Sequence, residues 1–344
     1  MRIAVVFDTP YQNAADHEAH VRRMTKEMRE HPEPEVEYQV GQTLLDLGHE
    51  VRLVGVRNDL RGMIEQLAEW GPELVFNVTE SYQGQEDLDY VIPGVLEAER
   101  YRYTGASPMS LLITRNKAVS KKILAYHGIL VPGFETYRLH DRVDAAPSLR
   151  FPLIVKPLQS DASVGIAQAS VVRDVEGLRE RVAFVHERFE QPAIAEEFVE
   201  GRELYVGVVG PEDEPEILPP TEMVFDKRKT RPEERIATEA AKWQLAYRER
   251  KGIRNVFARR IAKAVRARID EVCRTAYRAL WLHDYARFDL RLTPGGEVWM
   301  IEANANPFIS DGHDMANMAW KAGMDYRGFI GRIVTEAERR YGRT

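Results

Sequence analysis

The chain of 344 residues has one cysteine, Cys273, so an intramolecular disulfide framework is excluded and a reducing compartment is its natural setting. It has no apolar run approaching the roughly 18–20 residues of a membrane span. It has no signal-peptide core, because the strand-like Ile3–Phe7 begins almost at once. It has little charge imbalance. A formal net charge of −6 argues against a general nucleic-acid or membrane-surface binder. Repeats and low-complexity tracts are missing too. Apolar residues make up 44% of the chain, enough for ordinary cores, and the length suits two or three domains. A soluble cytoplasmic protein is the expectation.

The most informative stretch is Tyr285–Asp311, YARFDLRLTPGGEVWMIEANANPFISD. Tyr285–Leu292 alternates, with Ala286, Phe288, Leu290 and Leu292 on one face and Tyr285, Arg287, Asp289 and Arg291 on the other. Thr293–Gly296 is turn chemistry, and Glu297–Ala303 is a second strand-like run. The turn centres on Pro294-Gly295 or on Gly295-Gly296. The second register sets Asp289 opposite Glu302 and Arg287 opposite Asn304; the first makes those pairs diagonal. In both, Asp289, Glu302 and Asn304 share a face. Adjacent carboxylates repel, and a cation would remove that penalty. Two carboxylates and an amide oxygen are hard ligands that suit Mg²⁺ or Mn²⁺. Arg287 beside them is placed to hold a phosphate or carboxylate. The plainer alternative is a surface hairpin with solvated charges. It loses ground because Glu302 lies in the buried-looking run Trp299–Asn304.

In chain order, Ile3–Phe7, Val51–Val56 and Leu74–Val78 read as strands, and Val36–Leu47 and Leu60–Trp70 as helices. This alternation predicts an α/β fold with an open parallel sheet, whose ligands gather at the carboxyl ends of strands near Glu80, Ser81 and the loop through Asp89. The polar stretch 11–34 looks like an insertion, with a helix predicted around Glu18–Glu30. His17 and His20 are better read there as a solvated helix face than as a metal pair. Asn116–Tyr126 is a helix. Leu153–Lys156 and Val164–Ala167 read as strands flanking a polar loop, with Lys156 placed to reach phosphates. Arg173–Phe189 is a helix, and Ala193–Val199 and Glu203–Gly210 are strands. Glu196, Glu197, Phe198 and Val199 would suit an adenine slot, with Glu203 on a ribose hydroxyl. Residues 226–254 carry dense charge of both signs without a period, as expected of a lid. Phe257–Leu282, His313–Ala322 and Tyr326–Tyr341 read as helices.

Several motifs in this order resemble the ATP-grasp superfamily, and within it the D-alanine–D-alanine ligase-like carboxylate–amine ligases. They are Tyr103-Thr-Gly105 followed by Arg115-Asn-Lys117, Pro152–Pro157 with Lys156, Ser163-Val-Gly165, Ala195–Val199 with Glu203, Arg287-Phe-Asp289, and Glu302–Pro307. The resemblance implies an ATP-grasp fold (α+β overall) behind an N-terminal parallel domain. The expected domains are 1–107, 108–192 and 193–344. It implies that Lys117, Lys156 and Ser163 meet ATP, that Glu196–Val199 line the adenine slot and that Glu203 binds ribose. Asp289, Glu302 and Asn304 would hold two Mg²⁺ or Mn²⁺ ions. Lys242 resembles the family's lid lysine on the γ-phosphate. Arg287 and the backbone N–H of Phe308 would face the oxyanion. Glu35, or Glu37, would hold the first substrate's amine. The implied reaction joins a small-molecule carboxylate to an amine through an acyl phosphate. The family's frequent dimerisation through its first domain makes a homodimer an expectation; nucleic-acid and membrane partners are not expected.

Besides the 11–34 insertion, which is unlike a plain dipeptide ligase, the sequence departs from the family in two places. Gln159–Ser163 replaces a Glu-Gly-Ser-Ser loop. Phe308–Asp314 replaces a glycine and a serine that helps hold the acceptor carboxylate. These departures argue against D-alanine as both donor and acceptor. They point to a specialised ligase with an amine or cationic acceptor near Asp311 and Asp314. Two other readings share the motifs. A phosphoryl-transfer or carboxylating enzyme would form ADP without needing an amine. A silent nucleotide-binding module would need lost metal ligands, yet Asp289, Glu302 and Asn304 are all present.

Overall fold

A computed structural model describes residues 1–9, 35–143, 146–160, 163–231 and 234–342. The helix expected around Glu18–Glu30 and the pair His17/His20 lie outside them. Among the described residues, no helix is long and apolar enough to cross a membrane.

The chain opens with β1 (Arg2–Asp8), β2 (Glu50–Val56) and β3 (Leu74–Asn77), a parallel sheet in the order β2-β1-β3. Helix Val36–Asp46 precedes β2. Helix Leu60–Trp70 starts at Asp59, whose side chain accepts from Gly62 N–H, and stops at Gly71 in the left-handed conformation. One sheet face buries Ala4, Val6 and Val75 against Met63, Leu67, Ile92 and Leu96. The other buries Ile3, Val5 and Phe76 against Phe329, Ile330 and Ile333 of the last helix, Tyr326–Gly342. The final element thus completes the core of the first.

Next come β4 (Phe134–Tyr137), β5 (Leu153–Pro157), β6 (Val171–Val172) and β7 (Ala193–Glu197), an antiparallel sheet in the order β4-β7-β5-β6. Helix Val175–Phe189 packs Leu178, Val182 and Val185 onto it. A larger sheet follows: β8 (Arg202–Gly210), β9 (Glu216–Ile217), β10 (Thr221–Val224), β11 (Arg254–Phe257), β12 (Asp284–Leu292) and β13 (Val298–Asn304). Its order is β11-β10-β8-β12-β13, with β9 on β8. Helix Lys263–Ala279 backs it, and the alternation of β12 is realised: Ala286, Phe288, Leu290 and Leu292 face this helix's Ile269, Val272 and Cys273.

Three local expectations change. Val164–Ala167 is a turn, not a strand; β5 pairs instead with the two-residue β6, beyond a turn in which Ser163 and Gly165 both take positive φ. Residues 226–254 hold helices Glu239–Trp243 and Leu245–Lys251, the first capped by the Thr238 side chain on Ala241 N–H. The long helix begins at Lys263 rather than Phe257, because Arg254–Phe257 extends the sheet beside β10.

Candidate active site

The hairpin β12–β13 sets the site. Next to the turn Leu292 pairs with Val298, a register midway between the two anticipated ones. A bulge between Asp289 and Leu290 then shifts the ladder by one residue. Beyond it Asp289 lies opposite Glu302 and Arg287 opposite Asn304, the pairing expected of the Gly295-Gly296 turn but reached by another route. The extra residue is Ile301, whose carbonyl oxygen accepts from Lys121 Nζ.

Asp289 is buried and surrounded by donors. Arg287 Nε and Nη2 reach its two oxygens at 2.8 and 3.3 Å, Asn304 Nδ2 lies at 3.3 Å and Lys242 Nζ at 3.8 Å. Glu302 pairs with Lys117 Nζ at 2.9 Å. Burial alone would raise the Glu302 carboxyl, but Lys117, then Lys156 and Lys242, hold it well below the usual carboxylate range. Lys117 leads helix Lys117–Tyr126, whose start is capped by Asn116. Lys121, one turn on, lies on the same face.

The central carboxylate is Glu196 on β7, 1% exposed, between Lys156 Nζ at 2.8 Å and Lys121 Nζ at 3.3 Å. Burial opposes its ionisation, but the two ammonium groups outweigh it and lower its pKa. Burial is also the main reason why Lys121 falls to about 8, with Glu196 opposing the fall. Sequence reasoning missed Lys121. The available signal was its spacing of four residues from Lys117. Glu197 accepts from Arg150 N–H at 2.9 Å, and Glu203 pairs with Arg291, its cross-strand neighbour.

Two cavities meet at Lys242. The narrower, about 60 Å³, is bordered by Lys156, Ser163, Glu196, Glu197, Phe198, Val199, Glu203, Asp289 and Glu302. It brings nearly all the nucleotide and metal candidates together. Small-molecule sites usually run from about 300 Å³, so this space is narrower than most. The wider cavity, about 620 Å³, is bordered by Arg287, Asn304 and Phe308 and reaches both Glu80 and Asp314. Glu80 is open to this space, and its depth among protein atoms, then Asp8 and Glu86, raise its pKa to about 7.

The structure does not bring Glu35 to either cavity. Glu35 begins helix Val36–Asp46, beside Glu37. Glu80, Glu86 and Asp89 are the carboxylates of this domain that border the wide cavity among the described residues. Asp311 also stays outside the cavity, its backbone N–H donating to Gln39 Oε1 at 2.6 Å. A further tie joins the first domain to the hairpin. Gly105 N–H donates to Asp284 Oδ2 at 2.9 Å and Ala106 N–H to Asn306 Oδ1 at 2.8 Å. At Gly105, φ is +88° and a Cβ would lie 2.7 Å from Asn306 Oδ1, so the close approach needs glycine.

Among the described residues, no three His, Cys, Asp or Glu side chains cluster as a metal site. The fit of a hard divalent cation rests instead on Asp289 and Glu302 directly opposite each other with Asn304 alongside. Glu302 Oε1 is buried and makes no hydrogen bond beyond its ion pair. Half a turn of the Asn304 amide would present its oxygen. Lysines and Arg287 now balance the carboxylates, and this donor set suits the cation.

A parallel domain followed by two antiparallel sheets that clamp a lysine- and carboxylate-lined cleft defines the ATP-grasp class. The family model described as "D-ala D-ala ligase C-terminus" matches residues 123–335, and the chain belongs to that family. It is 28% identical over 350 residues to the uncharacterized protein y4sG of Sinorhizobium fredii, covering 99% of this chain and 98% of the relative. It is 28% identical to the D-alanine–D-alanine ligase of Bordetella petrii over 302 residues, covering 87% of this chain and 85% of that one. Among solved structures, the Bacillus anthracis D-alanine–D-alanine ligase complexed with ATP superposes with a TM-score of 0.73 at 20% identity. That match covers 100% of this chain and 99% of the other. The VanG D-Ala:D-Ser ligase of Enterococcus faecalis gives 0.69 at 19% identity, covering 98% and 99%. These structural likenesses establish the fold.

Proposed function

We propose that the protein is an ATP-dependent carboxylate–amine ligase working through an acyl phosphate, built from domains 1–107, 108–192 and 193–344. The carrying observation is the placement of Lys242 where two cavities meet, one holding Lys156, Glu196 and Glu302 and the other Arg287 and Phe308. The narrow side takes ATP once opened. Glu196–Val199 border the base, Glu203 the ribose, and Lys117, Lys156, Ser163 and Lys242 the phosphates. The wide side takes the carboxylate and the amine.

In the first step the substrate carboxylate attacks the γ-phosphorus and the bond to ADP breaks. Lys156 and Lys242 neutralise the moving phosphoryl group, so the protein's work is positioning and charge balance. In the second step the amine attacks the acyl carbon, phosphate leaves, and the nitrogen loses a proton. Arg287 and Phe308 N–H border the oxyanion formed there. Asp289, Glu302 and Asn304 would hold one or two Mg²⁺ ions, whose chemistry is to neutralise phosphate charge.

The test is Mg²⁺-dependent phosphate release from ATP, with carboxylates and amines supplied singly and in pairs. Release that needs both partners and is lost in Glu302→Gln, with folding retained, is the expected result. Release with one partner alone would favour phosphoryl transfer instead. Metal binding by the wild type but not by Glu302→Gln, followed calorimetrically with Mn²⁺, checks the donor set without relying on turnover.

A further inference from the structure

We infer that the amine substrate carries a second positive charge, held by the Asp314 carboxylate. The preferred class is then a diamine or longer polyamine rather than an α-amino acid. This inference rests on the ligase reading and deepens it.

Charge accounting in the wide cavity carries the argument. Of the four lysines and arginines bordering it, three are paired with carboxylates and Arg248 has neutral partners. Arg115 pairs with Asp89 at 2.5 Å, Arg287 and Lys242 share Asp289, and Arg248 donates to the Ala241 carbonyl at 2.6 Å and to Asn255 Oδ1 at 3.3 Å. Asp314 is different. Its partner is a neutral amide, Asn255 Nδ2 at 3.1 Å, and among the described residues no lysine or arginine forms an ion pair with it. A substrate carboxylate on that side would meet the Asp314 carboxylate, with Arg248 held on the Ala241 carbonyl and Asn255 Oδ1. An ammonium group would meet a half-buried anion already oriented by β11.

A second feature points to the same ligand. Tyr205 pairs across the sheet with Asp289, so its side chain shares the cleft face. It is 2% exposed, it borders the wide cavity, and its hydroxyl has no hydrogen-bond partner among the described residues. Buried hydroxyls are normally satisfied, and this one offers lone pairs to an N–H donor. Trp243, 60% exposed, borders the same space and adds an indole ring, whose face attracts cations. Asp314 also begins helix Asp314–Lys321, where an acid is favourable in any protein. That role alone would not require it to face a cavity.

The experiment is calorimetry on the full chain with Mg²⁺ and a non-hydrolysable ATP analogue, titrating diaminobutane, butylamine and D-alanine. Diaminobutane is expected to bind at least about tenfold more tightly than butylamine, as a held charge pair commonly provides. Asp314→Asn should remove that preference, and Asp314→Glu should keep it, which separates charge from any disturbance of the helix start. Asp311→Asn, the same charge change outside the cavity, should leave the preference intact. Equal binding of the two amines, a preference for D-alanine, or a diamine preference surviving in Asp314→Asn would overturn the inference. Phosphate release is scored separately. Release with D-alanine pairs alone would leave the ligase reading standing without the diamine. Diamine binding through Asp314, with no release for any carboxylate, would refute the ligase reading and keep the cation site.

Discussion

Replacing Glu196 with glutamine tests the electrostatics of the nucleotide cleft most directly. The carboxylate is 1% exposed and holds Lys156 at 2.8 Å and Lys121 at 3.3 Å. At an effective dielectric constant of about 20, those separations correspond to attractions of roughly 6 and 5 kcal/mol. Three desolvated ions cost several kcal/mol each, so the intact triad is close to break-even. The variant keeps two buried ammonium groups and loses the anion between them. Stability should fall by about 3–5 kcal/mol near pH 7, the usual cost of breaking a buried pair. The pH dependence should change as well. Lys121 has a folded pKa of about 8, below its ordinary value of 10.5. The unfolded chain therefore binds more protons between those values, and wild-type stability rises with pH across that window. Without Glu196, which opposes the shift, the Lys121 pKa drops further and the rise begins below pH 8. Urea denaturation from pH 6 to 10 measures both effects. A loss under about 1 kcal/mol with an unchanged pH profile would refute the reasoning, because it would mean that the lysines do not depend on this carboxylate.

Two more outcomes follow. The Glu80 carboxyl is raised from 4.5 to about 7, so the folded state binds the extra proton and this group's contribution to stability falls as pH rises from 4.5 to 7; Glu80→Gln should flatten that limb of the denaturation profile, and an unchanged limb would place the titration elsewhere. Phe288→Ala empties a fully buried position between β12 and helix Lys263–Ala279 and should cost about 3–5 kcal/mol by denaturant midpoint with little change in the m-value.

The site was legible wherever a short period carried it. Strand alternation separates Phe288 and Leu290 from Arg287 and Asp289, and a repeat of two survives any choice of turn. That Asp289 and Glu302 share a face is therefore legible in the sequence, whereas the bulge at Ile301 that sets them directly opposite is not, since one extra residue leaves no mark on composition or pattern. Asp311 and Asp314 looked alike in sequence. Only the helix start at Asp314 and the strand Arg254–Phe257 beside it turn one toward the cavity and leave the other on Gln39.

Local chemistry was enough for the parallel βαβ opening, the hairpin and the order of lysines and carboxylates, because hydrophobic period, caps and turn residues act over a few neighbours. Contacts between distant segments needed the folded chain. Glu196 lies 75 residues from Lys121, and the last helix completes the core of the first sheet. Glu80, not Glu35, borders the wide cavity. Such choices depend on which surfaces exclude water together, and burial is a property of the whole packed chain rather than of any stretch of it.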